Sequence, residues 1–339
     1  MGFALKPRPD RPIGPLDPLD THLTMTTGLP PRLLAALFAL GFVADACGAT
    51  TRVGVLVKGH SDFWSAVENG ARAAGERLNV EVEIKEPPTE TDVAAQLQMF
   101  DALVDEKVDA IVVAPTAGTV LAEHAQAAAA KGIRIIVIDT ALPGVPVDSF
   151  VGTNQRSAGE TAGRLIAGMV GESDEISVLR HDHNGGATAQ REVGALMTLG
   201  STRPGAIIHG DYYASAEPGK EMENAEGMLA KYPNSKAILA TGSPGTMAML
   251  KVLDQHGLGG KIKFVGFGFN LNQAVSDALE KGTMQDWIAQ LPRDVGYRGV
   301  EAALSVLHGE PVDRTIYIRY LVISRLNLHE EGIQALLRI

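Results

Sequence analysis

The residues best suited to chemistry gather in short stretches that follow apolar runs. Lys58-Gly59-His60-Ser61-Asp62-Phe63-Trp64 comes directly after Val53–Val57 and brings together an ammonium, a hydroxyl and two adjacent aromatic rings. Two aromatics at the start of a helix are costly in water. Either they pack inward or one stacks on a ligand, and an aromatic face suits the C–H-rich face of a sugar ring because its π cloud is electronegative. Trp64 continues a buried stripe along the helix that follows, so it reads as core or as a second ring against a ligand. Phe63 lies off that stripe and is the better stacking platform. Asp139-Thr140 ends another apolar run, where a carboxylate can accept two hydroxyl hydrogen bonds or act as a loop cap. Arg191 follows a Gly-Gly-Ala-Thr turn (Gly185–Thr188) and offers a fixed fork of donors to ligand oxygens, or else a surface ion pair. Its replacement by alanine is expected to weaken binding with little loss of stability. Thr241-Gly242-Ser243 and Gly268-Phe269-Asn270 end two later runs and belong on a far wall.

Catalytic patterns mostly fail. His181-Asp182-His183 has metal-ligand side chains but no third ligand at sensible spacing, so no metal site is expected. Gly266-Phe267-Gly268 follows an apolar run, yet Leu271 stands where a dinucleotide fingerprint needs glycine. Gly242-Ser243-Pro244-Gly245 lacks the glycine two residues before the serine of a nucleophile elbow. Neither a phosphate-cradling Gly-x-x-x-x-Gly-Lys run nor a His-Glu-x-x-His zinc pattern is present. The one acid–base pair that can be nominated is Asp139 with His181 or His183, which keeps an exported carbohydrate-acting enzyme as an alternative.

The elements that must position these residues alternate. Val53–Val57, Ala110–Val113 and Ile133–Ile138 are apolar throughout, as strands covered on both faces must be. Between them, Trp64, Val67, Ala71, Ala74 and Leu78, and then Val93, Leu97, Phe100 and Val104, recur at helical spacing. Thr91 is the expected N-cap of the second helix, and Lys131-Gly132 the close of the third. After Asn154 the alternation restarts, with helices over 155–171, 186–200, 217–231 and 244–257 and strands over 176–180, 206–210, 236–240 and 262–267. Strand–helix alternation implies parallel sheets with right-handed crossovers, and so many units suit two doubly wound α/β lobes. In such sheets ligands gather at the carboxyl ends of strands, so two facing lobes make a cleft.

The chain has 339 residues, 45% hydrophobic and 21% charged, enough for two cores. A net charge of -10 argues against a broad nucleic-acid or anionic-lipid surface. A single cysteine, Cys47, excludes an internal disulfide. Residues 1–24 read as an unstructured leader, or Met25 is the true start. Arg32, the apolar run Leu33–Val43 and the small-x-small Ala44-Asp45-Ala46 make residues 25–46 a secretory signal peptide, too short to span a membrane. Cleavage there would leave Cys47 at the new N-terminus, where a lipid anchor is an option.

From Thr51 to about Ile323 the sequence resembles periplasmic sugar-binding proteins of the ribose-binding type, the solute receptors of ABC importers. The resemblance rests on Ile288-Ala289-Gln290-Leu291-Pro292 with Gly296, Gly299, Val300 and Glu301. Val265-Gly266-Phe267, Pro115-Thr116, Asp139 and the run ending at Arg191 agree in order and spacing. It implies an N-terminal lobe over 52–153 plus 291–317 and a C-terminal lobe over 154–290 plus 318–339, with a three-crossing hinge. It implies ligand contacts at Ser61, Phe63, Trp64, Asp139, Thr140, Arg191, Gly242, Gly268 and Gln290. Where Gly242 and Gly268 stand, such receptors usually carry asparagine and aspartate. Either a larger ligand fills the vacated volume, or Ser243 and Asn270 take over. Lys58 is a further departure, one that favours an anionic or keto-bearing solute. The resemblance further implies a monomer without cofactor or catalytic group, closing on a sugar or polyol and docking on an ABC permease. A sensor subunit for a membrane kinase or chemoreceptor is the non-transport alternative.

Overall fold

The computed structural model describes residues 50–337 apart from Asp182, Asn184, Gly185 and Pro218. The leader, the signal segment and Cys47 lie outside the described residues. The first alternation runs β1 (Arg52–Leu56), α1 (Asp62–Leu78), β2 (Glu81–Lys85), α2 (Val93–Asp105), β3 (Ala110–Val113), α3 (Gly118–Ala130), β4 (Arg134–Ile138) and β5 (Ser149–Thr153). The second runs α4 (Gln155–Met169), β6 (Glu175–Arg180), α5 (Ala187–Thr202), β7 (Ile207–Tyr213), α6 (Glu221–Lys231), β8 (Ala237–Ala240), α7 (Ser243–Gln255), β9 (Lys263–Gly268), α8 (Gln273–Lys281) and β10 (Asp286–Ala289). The chain closes with α9 (Pro292–Leu307), β11 (Thr315–Ile318), β12 (Leu321–Ser324) and α10 (Glu331–Leu337).

These strands form two sheets of one design, ordered β2-β1-β3-β4-β5-β11 and β7-β6-β8-β9-β10-β12. Every pairing is parallel except β10 with β12, where Trp287 faces Ile323 in an antiparallel register. The chain passes between the sheets after β5, after β10 and between β11 and β12. Helix α9 packs on α1 and on the first sheet, while α4 packs on α5 and the second. The doubly wound, two-lobed α/β architecture expected from the alternation is therefore present. The strands with the weakest sequence signal are at the edges: β2 (EVEIK) mixes charges into its run because one side meets solvent.

Two details position the site. The N-cap of α2 is Asp92, whose carboxylate accepts from the Ala95 N–H at 2.9 Å, one residue later than expected. In the same helix Gln96 is buried among apolar residues. Its amide donates to the carbonyls of Val57 and Ala114 at 3.2 and 2.9 Å and accepts from Thr116 N–H at 2.8 Å. One side chain thus ties down the chain leaving β1 and β3, where orphan backbone groups would otherwise be buried.

Each lobe also has one helix pair in backbone contact. A Cβ on Gly70 of α1 would lie 1.9 Å from the Arg293 carbonyl, and one on Gly296 of α9 would lie 1.9 Å from the Val67 carbonyl. The second lobe repeats the device with Gly159 of α4 against the Arg191 carbonyl and Gly194 of α5 against that of Arg156. These reciprocal contacts seat α1 and α5, the helices that carry Phe63, Trp64 and Arg191. Among the described residues no helix is long and apolar enough to cross a membrane.

Candidate functional site

Where the carboxyl ends of both sheets converge lies a cavity of about 370 Å³, in the range of a small-molecule site. Ten of the twelve residues nominated from sequence line it: Lys58, Ser61, Phe63, Trp64, Asp139, Arg191, Gly242, Ser243, Gly268 and Gln290. Thr140 and Asn270 do not. Thr140 faces Lys58 and Asp139, whereas Asn270 is exposed in the loop between β9 and α8.

The first lobe contributes a tight ionic group. Lys58 Nζ donates to Asp139 Oδ2 at 2.9 Å and to Thr140 Oγ1 at 2.6 Å, and Thr140 Oγ1 donates to the same Asp139 oxygen at 2.9 Å. The side chains of Lys58 and Asp139 are 14% and 10% exposed, so water screens the pair poorly. Asp139 adopts φ 60°, a left-handed conformation that aspartate tolerates better than most residues. The turn swings its carboxylate toward Lys58 and leaves Oδ1 as its second acceptor. Lys58 also sits 5.5 Å from the Trp64 ring centroid. Ser61 is the N-cap of α1, accepting from Trp64 N–H at 3.5 Å, and its hydroxyl lies 3.4 Å from Glu90 Oε1. Trp64 is buried in the α1 stripe and lines the cavity as well, while Phe63 is half-buried.

Arg191 lines the cavity and does not form the surface ion pair that was its alternative. It is 2% exposed. Nε and Nη2 donate to Gln155 Oε1 at 3.1 and 2.6 Å, and Nη1 donates to the Thr241 carbonyl. Its guanidinium carbon lies 4.2 Å from the Phe267 ring centroid. Burial pushes its pKa down to about 10, against the opposing pull of Asp139 and Glu192. The guanidinium stays charged at neutral pH. Three of its five N–H groups are committed among the described residues, which leaves two as donors. Because the committed bonds hold the floor of the cavity, the expectation that alanine leaves stability intact does not stand.

Gln155 was not anticipated. It opens α4 directly after the first crossing, and its amide donates to Gln290 Oε1 at 2.7 Å. Gln290 directly follows β10, where the second crossing begins, so Arg191, Gln155 and Gln290 form a polar chain joining two of the three passages between lobes. A weak signal existed: Asn154-Gln155 follows a strand end just as Gln290 does. Behind the wall, buried Glu192 accepts from Arg180 Nε at 2.7 Å, His181 N–H at 2.9 Å and Thr241 Oγ1 at 3.0 Å, fixing the ends of β6 and β8.

The volume left by Gly242 and Gly268 is filled from within the protein. A Cβ on Gly242 would lie 2.8 Å from Nδ1 of His181, and a Cβ on Gly268 would lie 2.8 Å from Nε1 and Cζ2 of Trp287. Of the two residues expected to take over from them, Ser243 lines the cavity and Asn270 does not. Phe269, after Gly268, packs edge-on against Phe63 with centroids 5.3 Å apart, bridging the lobes. Among the described residues no group of three or more His, Cys, Asp or Glu could hold a metal ion.

A profile for the periplasmic binding protein domain matches residues 53–311. This chain belongs to that family. It is 22% identical to the ribose import binding protein of Bacillus subtilis over 257 residues, covering 76% of this chain and 81% of the relative. It is 25% identical to the D-allose-binding periplasmic protein of Escherichia coli, covering 70% and 78% of the two chains. A carbohydrate transporter solute-binding protein from Agrobacterium radiobacter, solved with D-arabinose, superposes with a TM-score of 0.78 at 26% identity, over 86% of this chain and 100% of that one. A solute-binding protein from Agrobacterium vitis with bound D-fucose gives the same TM-score and identity, covering 84% and 99% of the chains. The family resemblance drawn from the sequence therefore holds.

Proposed function

We propose that this periplasmic binding protein is the receptor of an ABC importer for a neutral sugar or polyol. The observation that carries the reading is one cavity lined from both lobes at strand ends, with hydroxyl-accepting carboxylates, buried cationic donors and aromatic rings together. The relatives named above bind ribose, allose, arabinose and fucose. Asp139 Oδ1 accepts from ligand hydroxyls, the two remaining Arg191 N–H groups donate to ligand oxygens, and Phe63 and Trp64 cover a C–H face. Lys58 does not argue for an anion. Its charge is matched by Asp139, and Asp62 and Glu90 also line the cavity.

In this reading the lobes, 52–153 with 291–317 and 154–290 with 318–339, close on the ligand about the three crossings. A ligand shifts that equilibrium only as far as it contacts the closed form better. Export by residues 25–46, residence in the periplasm, a monomeric state and docking on a permease complete the proposal. Energy for transport comes from the partner's ATPase, so no step of chemistry is asked of this chain.

The test is a thermal-shift screen of the full-length protein against pentoses, hexoses, polyols and sugar acids. Ligand at 100 times its dissociation constant adds about 2.7 kcal/mol to the folded state, a shift of several degrees. A neutral sugar or polyol is expected to shift the transition and to be recovered unchanged. A response confined to sugar acids would refute the neutral ligand, and turnover would refute the receptor.

A further inference from the structure

The two sheets end in four edge strands, β2 and β11 in the first and β7 and β12 in the second. An edge exposes unpaired backbone groups that invite another strand, and charge, a bulge or a cover normally blunts it. Strand β2 carries Glu81, Glu83 and Lys85, tied by ion pairs to one another, to Arg52 and to Glu106. The register of β7 against β6 shifts between Ser177 and Leu179, and Lys231 and Tyr232 donate to Asp211 of β7. Along β12 the Asn327 side chain occupies backbone groups, donating to the Val322 carbonyl at 3.0 Å and accepting from Ser324 N–H at 2.9 Å. Strand β11, Thr315-Ile316-Tyr317-Ile318, has none of these devices. It holds no charge, proline or glycine and runs unbroken beside β5. Helix α9 packs over β3, β4 and β5, and a groove of about 450 Å³ lies between it and β11, lined by Asp294, Tyr297, Arg298 and residues 316–319. Tyr317 is 60% exposed.

The free edge sets the terms on which it can be paired. The Arg314 carbonyl accepts from Phe150 N–H at 3.0 Å, so alternation turns the backbone of Ile316 and Ile318 to β5 and that of Thr315 and Tyr317 outward. In an antiparallel pair, opposed residues exchange both backbone bonds at every second position. Two copies of β11 about a twofold axis can therefore set Tyr317 opposite Tyr317, or Thr315 opposite Tyr317. Charge separates the two registers. In the second, Asp313 of one copy stands opposite Arg319 of the other, and symmetry forms that pair twice. Both side chains are exposed, and among the described residues neither has a partner within its own chain. The same register sets Ile316 against its own copy on the groove side.

Going beyond the receptor reading, whose monomer is the form in dilute solution, we propose that a second copy of this chain docks on β11, the strands pairing antiparallel with Thr315 opposite Tyr317 and Asp313 opposite Arg319. The pairing joins two six-stranded sheets into one. Strands of four residues make a small contact, so the dimer forms and parts with concentration.

The experiment is sedimentation velocity of the full-length protein from about 5 µM to about 1 mM, the range in which a small interface associates. The wild type is expected to pass reversibly from monomer to dimer. Asp313→Arg and Arg319→Asp, run separately, each set like charges opposite one another at both ends of the contact. Each is expected to weaken the dimer about tenfold or more. An equimolar mixture of the two variants restores Asp opposite Arg at both ends and is expected to dimerise as the wild type does. A wild type that stays monomeric at the highest concentration would overturn the proposal. So would a dimer that neither variant weakens, which places the association on another surface, and so would a mixture no better than its components. Each of these results leaves the receptor reading standing, since neither residue lines the cavity.

Discussion

The two lobes share one strand order, and each pins a helix pair through reciprocal glycines, yet they face the cavity with opposite chemistry. The first lobe presents flexible-looking side chains made rigid by charge: Lys58, Asp139 and Thr140 hold one another although Lys58 lies far from the others in sequence. The second presents a guanidinium already anchored to its own backbone and amides, beside two glycines backed by rings. A repeated scaffold therefore does not impose a repeated site. Topology decides where a residue stands, and local packing decides whether it has bonds to spare.

That contrast can be broken most sharply at Arg191. Arg191→Ala should strip Gln155 and the Thr241 carbonyl of their donors and open a cavity, lowering stability by about 2–4 kcal/mol and abolishing binding. Chemical denaturation and titration would measure both. Unchanged stability with lost binding would mean that the guanidinium serves the ligand alone. On the first wall, Lys58→Met should leave Asp139 and Thr140 without their shared donor and weaken binding by about 2 kcal/mol. If affinity instead rises for neutral sugars, the ammonium was competing with the ligand for Asp139. Across the cleft, Phe63→Ala and Phe269→Ala should each weaken binding by about 1 kcal/mol. The double variant should lose less than the sum, since the rings touch. Strict additivity would show that the contact does not couple the lobes.

The smallest effect lies away from the cavity, at the start of β10. Burial raises the pKa of Asp286 above its ordinary value. Its folded form therefore favours the proton, so its contribution is fully present below the unfolded value and is lost as pH rises through the folded one. Asp286→Asn should raise Tm by roughly two degrees at neutral pH and bring no gain in strong acid. A neutral-pH loss would mean that the carboxylate has a partner worth more than its burial costs.

Much of this was legible in sequence because a parallel sheet makes its own demands. Apolar runs such as Ala110–Val113 must be covered on both faces, and the residues following them must meet at one edge. Those demands alone place Lys58, Asp139, Gly242 and Gly268 at the cleft. Arg191 was placed at the cleft by its position after a strand end, but its bonds to Gln155 and the Thr241 carbonyl come from other elements and left no mark in its own segment. Glu90 lies in a loop without period, so only the folded chain brings it to the cavity. The fillers of the glycine positions were hidden for the same reason. His181 and Trp287 are remote in sequence from the residues they replace, and no pattern along a strand announces a ring arriving from its neighbour.

The reciprocal glycines carry a consequence for how such a receptor changes its diet. The helices that carry Phe63, Trp64 and Arg191 are indexed by main chain against main chain, a fit that owes nothing to the side chains around it. Residues at the strand ends can then be exchanged over generations, one ring for one amide, without the helices turning to accommodate them. Cargo drifts while the frame that presents it keeps its outline.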